Sequence, residues 1–324
     1  MRFLVIVVLV AVLATVCEAQ FSGYRRPRRL RRPATIKRLS EVSTLIAQTA
    51  EKQPDYNPTE DFYGYEEDSE FPPSRWGEKW PVCAGLQESP INIQLNTCKK
   101  DTALYPMKLH NFDAIPLTST IQNLGHAVQV VFTYGKITPS ITRGFYRLTK
   151  YNFQQLHFHF GKTDEDGSEH TIDTKNFVME AHMVFSKSTY ASITEASQDP
   201  EGLIVLAFLF EVAEDDEVNK SPIGFLADVL AQIGEPGQSV TVADAKAHRL
   251  IDIIGSTKFE YVRYAGSLTT PPCSEAVTWL VSTKALKVNR KTLDGFREVN
   301  SFEGKMAGNH RPVQPINGRE CFIH

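Results

Sequence analysis

Three histidines in two strand-like runs constrain this chain more than any other feature. His157 and His159 lie in the run 153–160, Phe-Gln-Gln-Leu-His-Phe-His-Phe, and His182 lies in the run 177–185, Phe-Val-Met-Glu-Ala-His-Met-Val-Phe. Residues two apart in a β-strand point to the same face, so His157 and His159 can converge while the apolar residues beside them pack on the other face. With His182 on a neighbouring strand, the pattern predicts a tetrahedral Zn²⁺ with one open position, which is typical of a catalytic zinc.

Two polar residues favour a metal site over three unrelated core or surface histidines. Gln155 precedes His157 by two residues and Glu180 precedes His182 by two, so each shares its histidine's face of the strand. A metal-bound histidine usually donates its other ring N–H to an amide, carboxylate or carbonyl. A glutamate among apolar residues is costly to bury without a partner, and a coordinated histidine is one. The alternative, in which Glu180 faces water at a sheet edge, stays open.

A third segment has the composition of a loop that presents hydroxyl groups. Residues 264–275, Tyr-Ala-Gly-Ser-Leu-Thr-Thr-Pro-Pro-Cys-Ser-Glu, combine a Gly-Ser turn, two threonines and a proline pair. A proline pair fits neither a regular helix nor a central strand. The segment is therefore predicted to be a loop beside the histidines.

Taken together, these runs resemble the α-class carbonic anhydrases. The matching segments occur in the family's order between about Tyr63 and Arg311, at 88–93, 123–127, 157–161, 167–171, 180–182, 267–272 and 309–312. The resemblance implies the α-carbonic anhydrase fold, a single mainly β (α+β) domain. It has a central twisted, mostly antiparallel sheet of about ten strands and short peripheral helices.

The resemblance also implies roles for individual residues. The zinc ligands are His157, His159 and His182. The groups behind the ligands are Gln155, Glu180 and the backbone of Asn309. The implied apolar wall for carbon dioxide consists of Val184, Val205, Leu268, Val277 and Trp279.

The remaining implied residues act on protons and product. Thr269 accepts a hydrogen bond from zinc-bound hydroxide and passes its own proton to Glu169, and Thr270 helps hold bicarbonate. His126 matches the family's proton shuttle. The groups that order water beside it are Tyr65 and Gln129.

The implied reaction is the reversible hydration of carbon dioxide to bicarbonate and a proton, by attack of zinc-bound hydroxide. Three neutral ligands leave the full metal charge to act on a bound water, whose pKa in carbonic anhydrase itself is about 7 against 15.7 in bulk. A histidine with an ordinary pKa of about 6.5 can then relay the proton at neutral pH. The expected partners are carbon dioxide and bicarbonate, with no nucleic acid.

Three positions depart from the family's usual residues. Leu124 replaces an asparagine beside the shuttle, which puts the order of the water chain and the turnover in doubt. Glu88 replaces a glutamine, and we expect little consequence. Tyr63 replaces a tryptophan that is common near the start of the domain.

Two other functions are weighed against the enzyme. A non-catalytic carbonic anhydrase-like binding or matrix domain would be expected to have lost ligands, whereas this chain keeps all three histidines. A cupin-type oxygenase also uses His-x-His but wants a glutamate about four or five residues later, and Glu165 lies one place too far. The absence of a His-Glu-x-x-His run argues against the common metalloprotease type.

The ends of the chain indicate secretion to the extracellular space. Residues 1–19 have the pattern of a signal peptide, and the apolar run 3–16 is short for a membrane span, so no transmembrane span is expected. Residues 20–60 are predicted to be a basic-then-acidic disordered arm or propeptide, followed by the domain at 61–324. Eight basic residues between Arg25 and Arg38 could contact an anionic matrix or cell surface, or could simply keep the arm solvated.

The cysteines are read in the light of secretion. After removal of the signal, four cysteines remain in an oxidising compartment, and four cysteines allow three pairings. The resemblance to secreted and membrane-bound relatives implies the pair Cys83 and Cys273. For Cys98 and Cys321, a mutual bridge, free thiols and a bond to another chain all stay open.

Hydrophobic alternation predicts the main strands of the domain, and apolar spacing predicts a few helices. The predicted strands are 127–134, 152–160, 176–185, 203–212, 260–264 and 276–282. The predicted helical segments are 222–233, 244–250 and 291–299.

Overall fold

A computed structural model describes residues 62–102, 107–143, 149–214, 221–243, 248–306 and 308–324. The predicted signal peptide and arm lie outside these residues. Within them, no helix has the length and apolar composition needed to cross a membrane.

Strands dominate the described residues. They are β1 Asn92–Ile93, β2 Lys99–Lys100, β3 Lys108–His110, β4 Thr118–Asn123, β5 Val128–Thr133, β6 Ser140–Arg143, β7 Thr149–Phe160, β8 Thr171–Ile172, β9 Met179–Lys187, β10 Leu203–Val212, β11 Ser239–Ala243, β12 Tyr261–Gly266, β13 Val277–Ser282, β14 Leu286–Val288, β15 Asn300–Ser301, β16 Gly304–Lys305 and β17 Phe322–Ile323. The α-helices are short: α1 Trp76–Lys79, α2 Ile193–Ala196, α3 Leu250–Ile254 and α4 Arg290–Arg297. The 3₁₀ turns are Pro73–Arg75, Pro81–Ala84, Leu95–Thr97, Gly224–Leu226 and Leu230–Gln232.

One large mixed sheet carries the domain. Its continuous path runs β11-β4-β5-β7-β9-β10-β13-β12-β17-β2, with β3, β6 and β14 paired beside it. Most neighbouring strands are antiparallel, while β10 runs parallel to β13 and β14, and β17 runs parallel to β2. The predicted mainly β domain with about ten central strands and short helices is confirmed.

The long central strands separate two apolar clusters. Along β7, Leu156, Phe158 and Phe160 join the larger cluster, to which the 3₁₀ turns Gly224–Leu226 and Leu230–Gln232 and helix α4 also contribute. The opposite face carries His157 and His159 and belongs to the side of the smaller cluster. Strand alternation therefore separates the core from the site, as period-two spacing requires.

The predicted helical segment 222–233 is not a continuous helix. It forms two 3₁₀ turns, in which successive backbone N–H groups bond three residues back, as from Leu226 to Ile223 and from Ile233 to Leu230. Gly224 lowers the helix propensity, and the buried apolar residues of the segment pack onto the sheet. By contrast, the predicted segment 291–299 largely forms α4, which the Asn289 side chain caps by accepting the Thr292 N–H at 2.8 Å.

Two disulfides join distant parts of the domain. Cys83 bonds Cys273 across 190 residues, the pair that the resemblance implies, and Cys98 bonds Cys321 across 223 residues. The first connects the turn before the Ser-Pro motif to the predicted threonine loop. The second lies where β2, β17 and β12 meet, so it ties the C-terminal strand to the sheet.

We expect peptide mapping without reduction to recover the Cys83–Cys273 cross-link. Replacing both cysteines with alanine should lower the free energy of unfolding by about 2–5 kcal/mol, because the bridge restricts a long loop of the unfolded chain. The Cys98→Ala/Cys321→Ala variant is the matched control, since it removes a bridge that closes a loop of similar length, 223 against 190 residues, away from the threonine loop. Alkylation of Cys83 and Cys273 as free thiols in the native protein would contradict this pairing.

Candidate metal centre

Sheet register brings the three histidines together. His157 on β7 lies directly opposite His182 on β9, and His159 follows one row further along β7. Their ring centroids are 4.6 to 5.1 Å apart, and one ligand atom of each lies within 4.8 Å of the others. The rings of His159 and His182 are buried and that of His157 is partly exposed.

The geometry of the cluster fits zinc. Zinc–nitrogen bonds of about 2.0–2.1 Å at tetrahedral angles place ligand nitrogens about 3.4 Å apart. His182 Nδ1 lies 3.2 Å from His157 Nε2. His159 Nε2 is buried, points into the cluster and has no hydrogen-bond partner among the described residues. A buried polar atom without a partner destabilises the folded state, so a metal ion bound to His159 Nε2 would be stabilising.

In each histidine, the ring nitrogen that points away from the cluster donates a hydrogen bond. His157 Nδ1 donates to Gln155 Oε1 at 2.9 Å, and His159 Nδ1 donates to the Asn309 carbonyl at 2.6 Å. His182 Nε2 donates to Glu180 Oε1 at 2.7 Å. These bonds fix the tautomers, so that His157 Nε2, His159 Nε2 and His182 Nδ1 face one point.

The histidines are neutral, which is the form that binds metal. Burial lowers the pKa of His157 and His159 well below the ordinary value, and the neighbouring imidazoles lower it further. Burial likewise lowers the pKa of His182. Because protons then do not compete for the ring nitrogens at neutral pH, these nitrogens are available to bind a metal cation.

Glu180 is buried rather than at a water-facing sheet edge. Besides His182, its carboxylate accepts His170 Nδ1 at 2.6 Å and the backbone N–H groups of Glu169 and His170 at 2.9 and 2.7 Å. Burial alone would raise its pKa, but the two histidines and their hydrogen bonds hold the pKa well below the usual range. A carboxylate at this position strengthens the hold on His182.

Glu169 lies beside the histidine cluster. Glu169 Oε2 is 3.5 Å from His159 Nε2 and 3.9 Å from His182 Nδ1, and Oε1 accepts the Arg311 backbone N–H at 2.9 Å. Burial and the nearby Glu180 raise the pKa of Glu169, while a hydrogen bond from Thr269 lowers it. The net effect raises the pKa of Glu169 well above its usual value, and a cation at the cluster would oppose that rise and favour the ionised carboxylate.

An apolar wall adjoins the histidines. The register pairs Val184 with Val205 and Val205 with Trp279, so these three form one row across β9, β10 and β13 next to the row of His157 and His182. The smaller apolar cluster contains four of the residues that were predicted for the wall, and the fifth, Leu268, packs against it; the four are Val184, Val205, Val277 and Trp279. Thr270 is partly exposed.

His126 stands at the end of the hairpin that joins β4 to β5. Gly125 adopts a positive φ of 83° at the turn, and the His126 ring lies 5.0 Å from the Tyr63 ring, measured between centroids. His126 is partly exposed, and burial of its imidazole among its neighbours lowers its pKa to about 4. Gln129 lies opposite His157 on β5, and burial raises the pKa of Tyr65 well above its usual value.

Several functional partners were not foreseen from the sequence. His170 links Glu180 to Tyr264, whose hydroxyl lies 2.6 Å from His170 Nε2, and Arg311 holds Glu169. The Asn309 side chain also donates to the backbone carbonyls of His126 and Phe158, at 3.1 and 2.9 Å. The signal for His170 and Arg311 was present, since both lie inside the quoted motifs 167–171 and 309–312.

Comparison with known proteins agrees with this site. Residues 72–324 match the family described as eukaryotic-type carbonic anhydrase. The chain belongs to the eukaryotic-type carbonic anhydrase family. Carbonic anhydrase 15 of Mus musculus is 32% identical over 261 residues, which cover 78% of this chain and 80% of the relative. Carbonic anhydrase 7 of Mus musculus is 32% identical over 264 residues, which cover 79% of this chain and 95% of the relative.

Membership of the carbonic anhydrase family decides between the candidate functions. It supports hydration of carbon dioxide by this chain and excludes the cupin alternative. A carbonic anhydrase that keeps a converging histidine cluster has the means to bind a metal. The purely non-catalytic alternative has no support in this site.

Proposed function

We propose that this chain is a secreted zinc enzyme in which His157, His159 and His182 bind the metal and His126 releases the proton. The proposal rests on the convergence of three neutral imidazole nitrogens. Each ring is oriented by a hydrogen bond from its other nitrogen, to Gln155, to the Asn309 carbonyl or to Glu180. Zinc held there would act as a Lewis acid that makes water a nucleophile at neutral pH, as in carbonic anhydrases generally. The remaining steps belong to the chain's own residues.

Thr269 and Glu169 would orient the attacking oxygen. With a cation at the cluster favouring the ionised form of Glu169, the Thr269 hydroxyl would donate its proton to that carboxylate and could then only accept a hydrogen bond from the attacking oxygen. In this arrangement Thr269 would orient that oxygen for attack on a carbon dioxide held at the row of Val184, Val205 and Trp279. Carbon dioxide suits that wall because it has no net dipole, and Thr270 at the exposed end would hold the bicarbonate product.

Zinc removal and return test the proposal. Chelator dialysis of the purified chain should abolish hydration measured by stopped flow, and one equivalent of Zn²⁺ should restore it. Full hydration by metal-free protein would contradict the metal assignment. Zinc binding without hydration would leave the site as a metal centre but overturn its proposed chemistry.

His126 would relay the proton to solvent, with proton release as the slow step. The His126 ring has a pKa of about 4, so accepting a proton from a zinc-bound water with a pKa of about 7 would cost free energy. In addition, Leu124 is apolar where the family usually has asparagine, so its side chain cannot hydrogen-bond water beside the ring.

We therefore expect His126→Ala to lower kcat by about tenfold or less, below the usual contribution of 10² or more from a well-matched general base. The ratio kcat/KM should stay unchanged, because carbon dioxide attack precedes proton release. Added imidazole buffer should raise kcat of both proteins. A parallel fall in kcat/KM would show that His126 takes part in the hydration step instead.

Secretion is proposed from the signal pattern at 1–19 and is supported by the two disulfides, since such bonds persist in oxidising compartments. The basic segment Arg25 to Arg38 is proposed to contact an anionic matrix or surface through its eight positive charges. Both segments lie outside the described residues.

Comparing the chain that starts at Gln20 with one that starts at Leu39 tests the role of the arm. The truncation removes eight basic and no acidic residues and shifts the net charge from −3 to −11. We expect equal hydration rates, because the site lies downstream, and a sharp loss of retention on an anionic resin. Retention of the longer chain should fall with salt, which screens exposed charges beyond about 8 Å at physiological ionic strength. Equal retention of both chains would make the arm a solvated leader only.

A further inference from the structure

Arg311 is a buried cation at the junction of three segments. Its side chain is 2% exposed. Nη1 donates to Glu88 Oε2 at 2.5 Å and to the Ser89 carbonyl at 2.9 Å, and Nη2 donates to the Cys83 carbonyl at 2.8 Å. The guanidinium lies 5.4 Å from the centroid of the Trp76 ring. Only the planar fork of arginine can serve these directions together.

The segment that Arg311 binds holds the first end of the Thr269 loop. Ser89 and Ser267 bond reciprocally: the Ser89 N–H donates to Ser267 Oγ at 2.9 Å, and the Ser267 N–H donates to Ser89 Oγ at 3.1 Å. Glu88 Oε2 accepts the Ser267 hydroxyl at 3.4 Å. Thr269 follows Ser267 by two residues.

The second end of the loop leads to the same guanidinium. Cys273 is bonded to Cys83, whose carbonyl accepts Arg311 Nη2. The loop from Ser267 to Cys273 is thus anchored on both sides by groups that bind Arg311. The Arg311 backbone N–H meanwhile donates to Glu169 Oε1 at 2.9 Å, so one residue contacts Glu169 directly and, through its side chain, the groups that anchor both ends of the Thr269 loop.

The charge on Glu88 keeps Arg311 in this position. Glu88 is 2% exposed, and burial raises its pKa while the Arg311 guanidinium lowers it. Removing one member of a buried ion pair leaves the other uncompensated, which is strongly destabilising. Our expectation that Glu88 in place of glutamine has little consequence does not allow for this buried charge-assisted bond.

We propose that Arg311, clamped by Glu88, is the positioning residue that sets Thr269 and Glu169 relative to each other. This inference rests on the proposed function, because it deepens the account of how the attacking oxygen is oriented. Arg311 touches neither the metal-binding atoms nor the apolar wall. The backbone bond to Glu169 does not depend on the side chain, so the effect of the guanidinium itself passes through the loop that carries Thr269.

A double-mutant cycle tests the inference in the full zinc-loaded chain. Arg311→Lys keeps the charge and the backbone N–H but loses the fork, and we expect kcat/KM for hydration to fall by about tenfold, with zinc stoichiometry unchanged. In the Thr269→Val background the same change should cost less than about twofold, since coupled residues are not additive. Glu88→Gln is the second arm of the cycle: it removes the charge but keeps an oxygen that can accept from Arg311 Nη1, and it restores the residue usual in the family. We expect a smaller loss that also depends on Thr269, and the unfolding temperature of this variant reports the cost of the missing charge.

The control is Arg263→Lys. Arg263 lies on β12 and is also paired with a carboxylate, since its Nε donates to Asp101 Oδ2 at 3.1 Å, away from the site. It should leave kcat/KM unchanged. Losses from Arg311→Lys and Glu88→Gln that are equally large with and without Thr269 would overturn the positioning role and leave Arg311 a structural residue. Absence of hydration in the unsubstituted chain would instead defeat the proposed function itself.

Discussion

His157→Ala is expected to remove most of the bound zinc and nearly all hydration of carbon dioxide. Two imidazoles cannot complete the tetrahedral site, and the loss also frees Gln155, which holds His157 Nδ1 at 2.9 Å. Zinc content by mass spectrometry and stopped-flow hydration on the same preparation measure both effects. Adding excess zinc should restore little activity, because the third nitrogen is missing.

The matched control for this substitution is His110→Ala. His110 lies on β3, where Nε2 lies 2.8 Å from the Thr142 hydroxyl, and it takes no part in the cluster. Its replacement should leave zinc content and hydration near those of the unsubstituted chain. Full zinc with near-native turnover in His157→Ala would refute the assignment of His157 as a ligand.

Thr269→Val is expected to keep zinc and lose hydration by about 10²- to 10³-fold, the usual effect of removing one well-placed hydrogen-bonding group from an active site. Valine keeps the shape of threonine but cannot donate to Glu169 or accept from the attacking oxygen. The ratio kcat/KM should fall by this full factor and kcat by less, because hydration sets kcat/KM whereas proton release limits kcat in the unsubstituted chain. Thr269→Ser, which keeps the hydroxyl, should recover most of the rate.

Unchanged kinetics in Thr269→Val would show that the hydroxyl does not orient the attacking oxygen. A loss of zinc in the same variant would mean that Thr269 supports the metal site through packing. The unfolding temperature distinguishes either result from a damaged fold, since Thr269 is only 5% exposed and removing a buried hydroxyl that bonds its neighbours changes stability by about 1 kcal/mol.

The local sequence pattern predicted which residues form the site better than it predicted how the strands bring them together. Period-two spacing places His157 and His159 on one strand face, and a glutamate two residues before His182 indicates a partner behind that ligand. No local pattern states that His157 lies opposite His182, because register between strands depends on the whole sheet. The resemblance to a family provided that pairing.

Long-range contacts account for most of what the sequence did not reveal. The parallel pairing of β10 with β13 joins strands more than sixty residues apart and builds the row from Val205 to Trp279. The bond between Glu88 and Arg311 spans 223 residues, so neither residue carries a local sign of the other. The 3₁₀ turns in 222–233 were missed for a different reason, since apolar spacing of three and four fits both helix types.

X-ray absorption at the zinc edge tests the central claim most directly. In the zinc-loaded chain we expect a four-coordinate ion with three imidazole nitrogens at about 2.0–2.1 Å and one oxygen ligand. The His157→Ala chain, where it retains any zinc, should show fewer imidazole contributions. A spectrum with sulfur ligands, or with six oxygen ligands and no imidazole scattering, would contradict a catalytic zinc held by His157, His159 and His182.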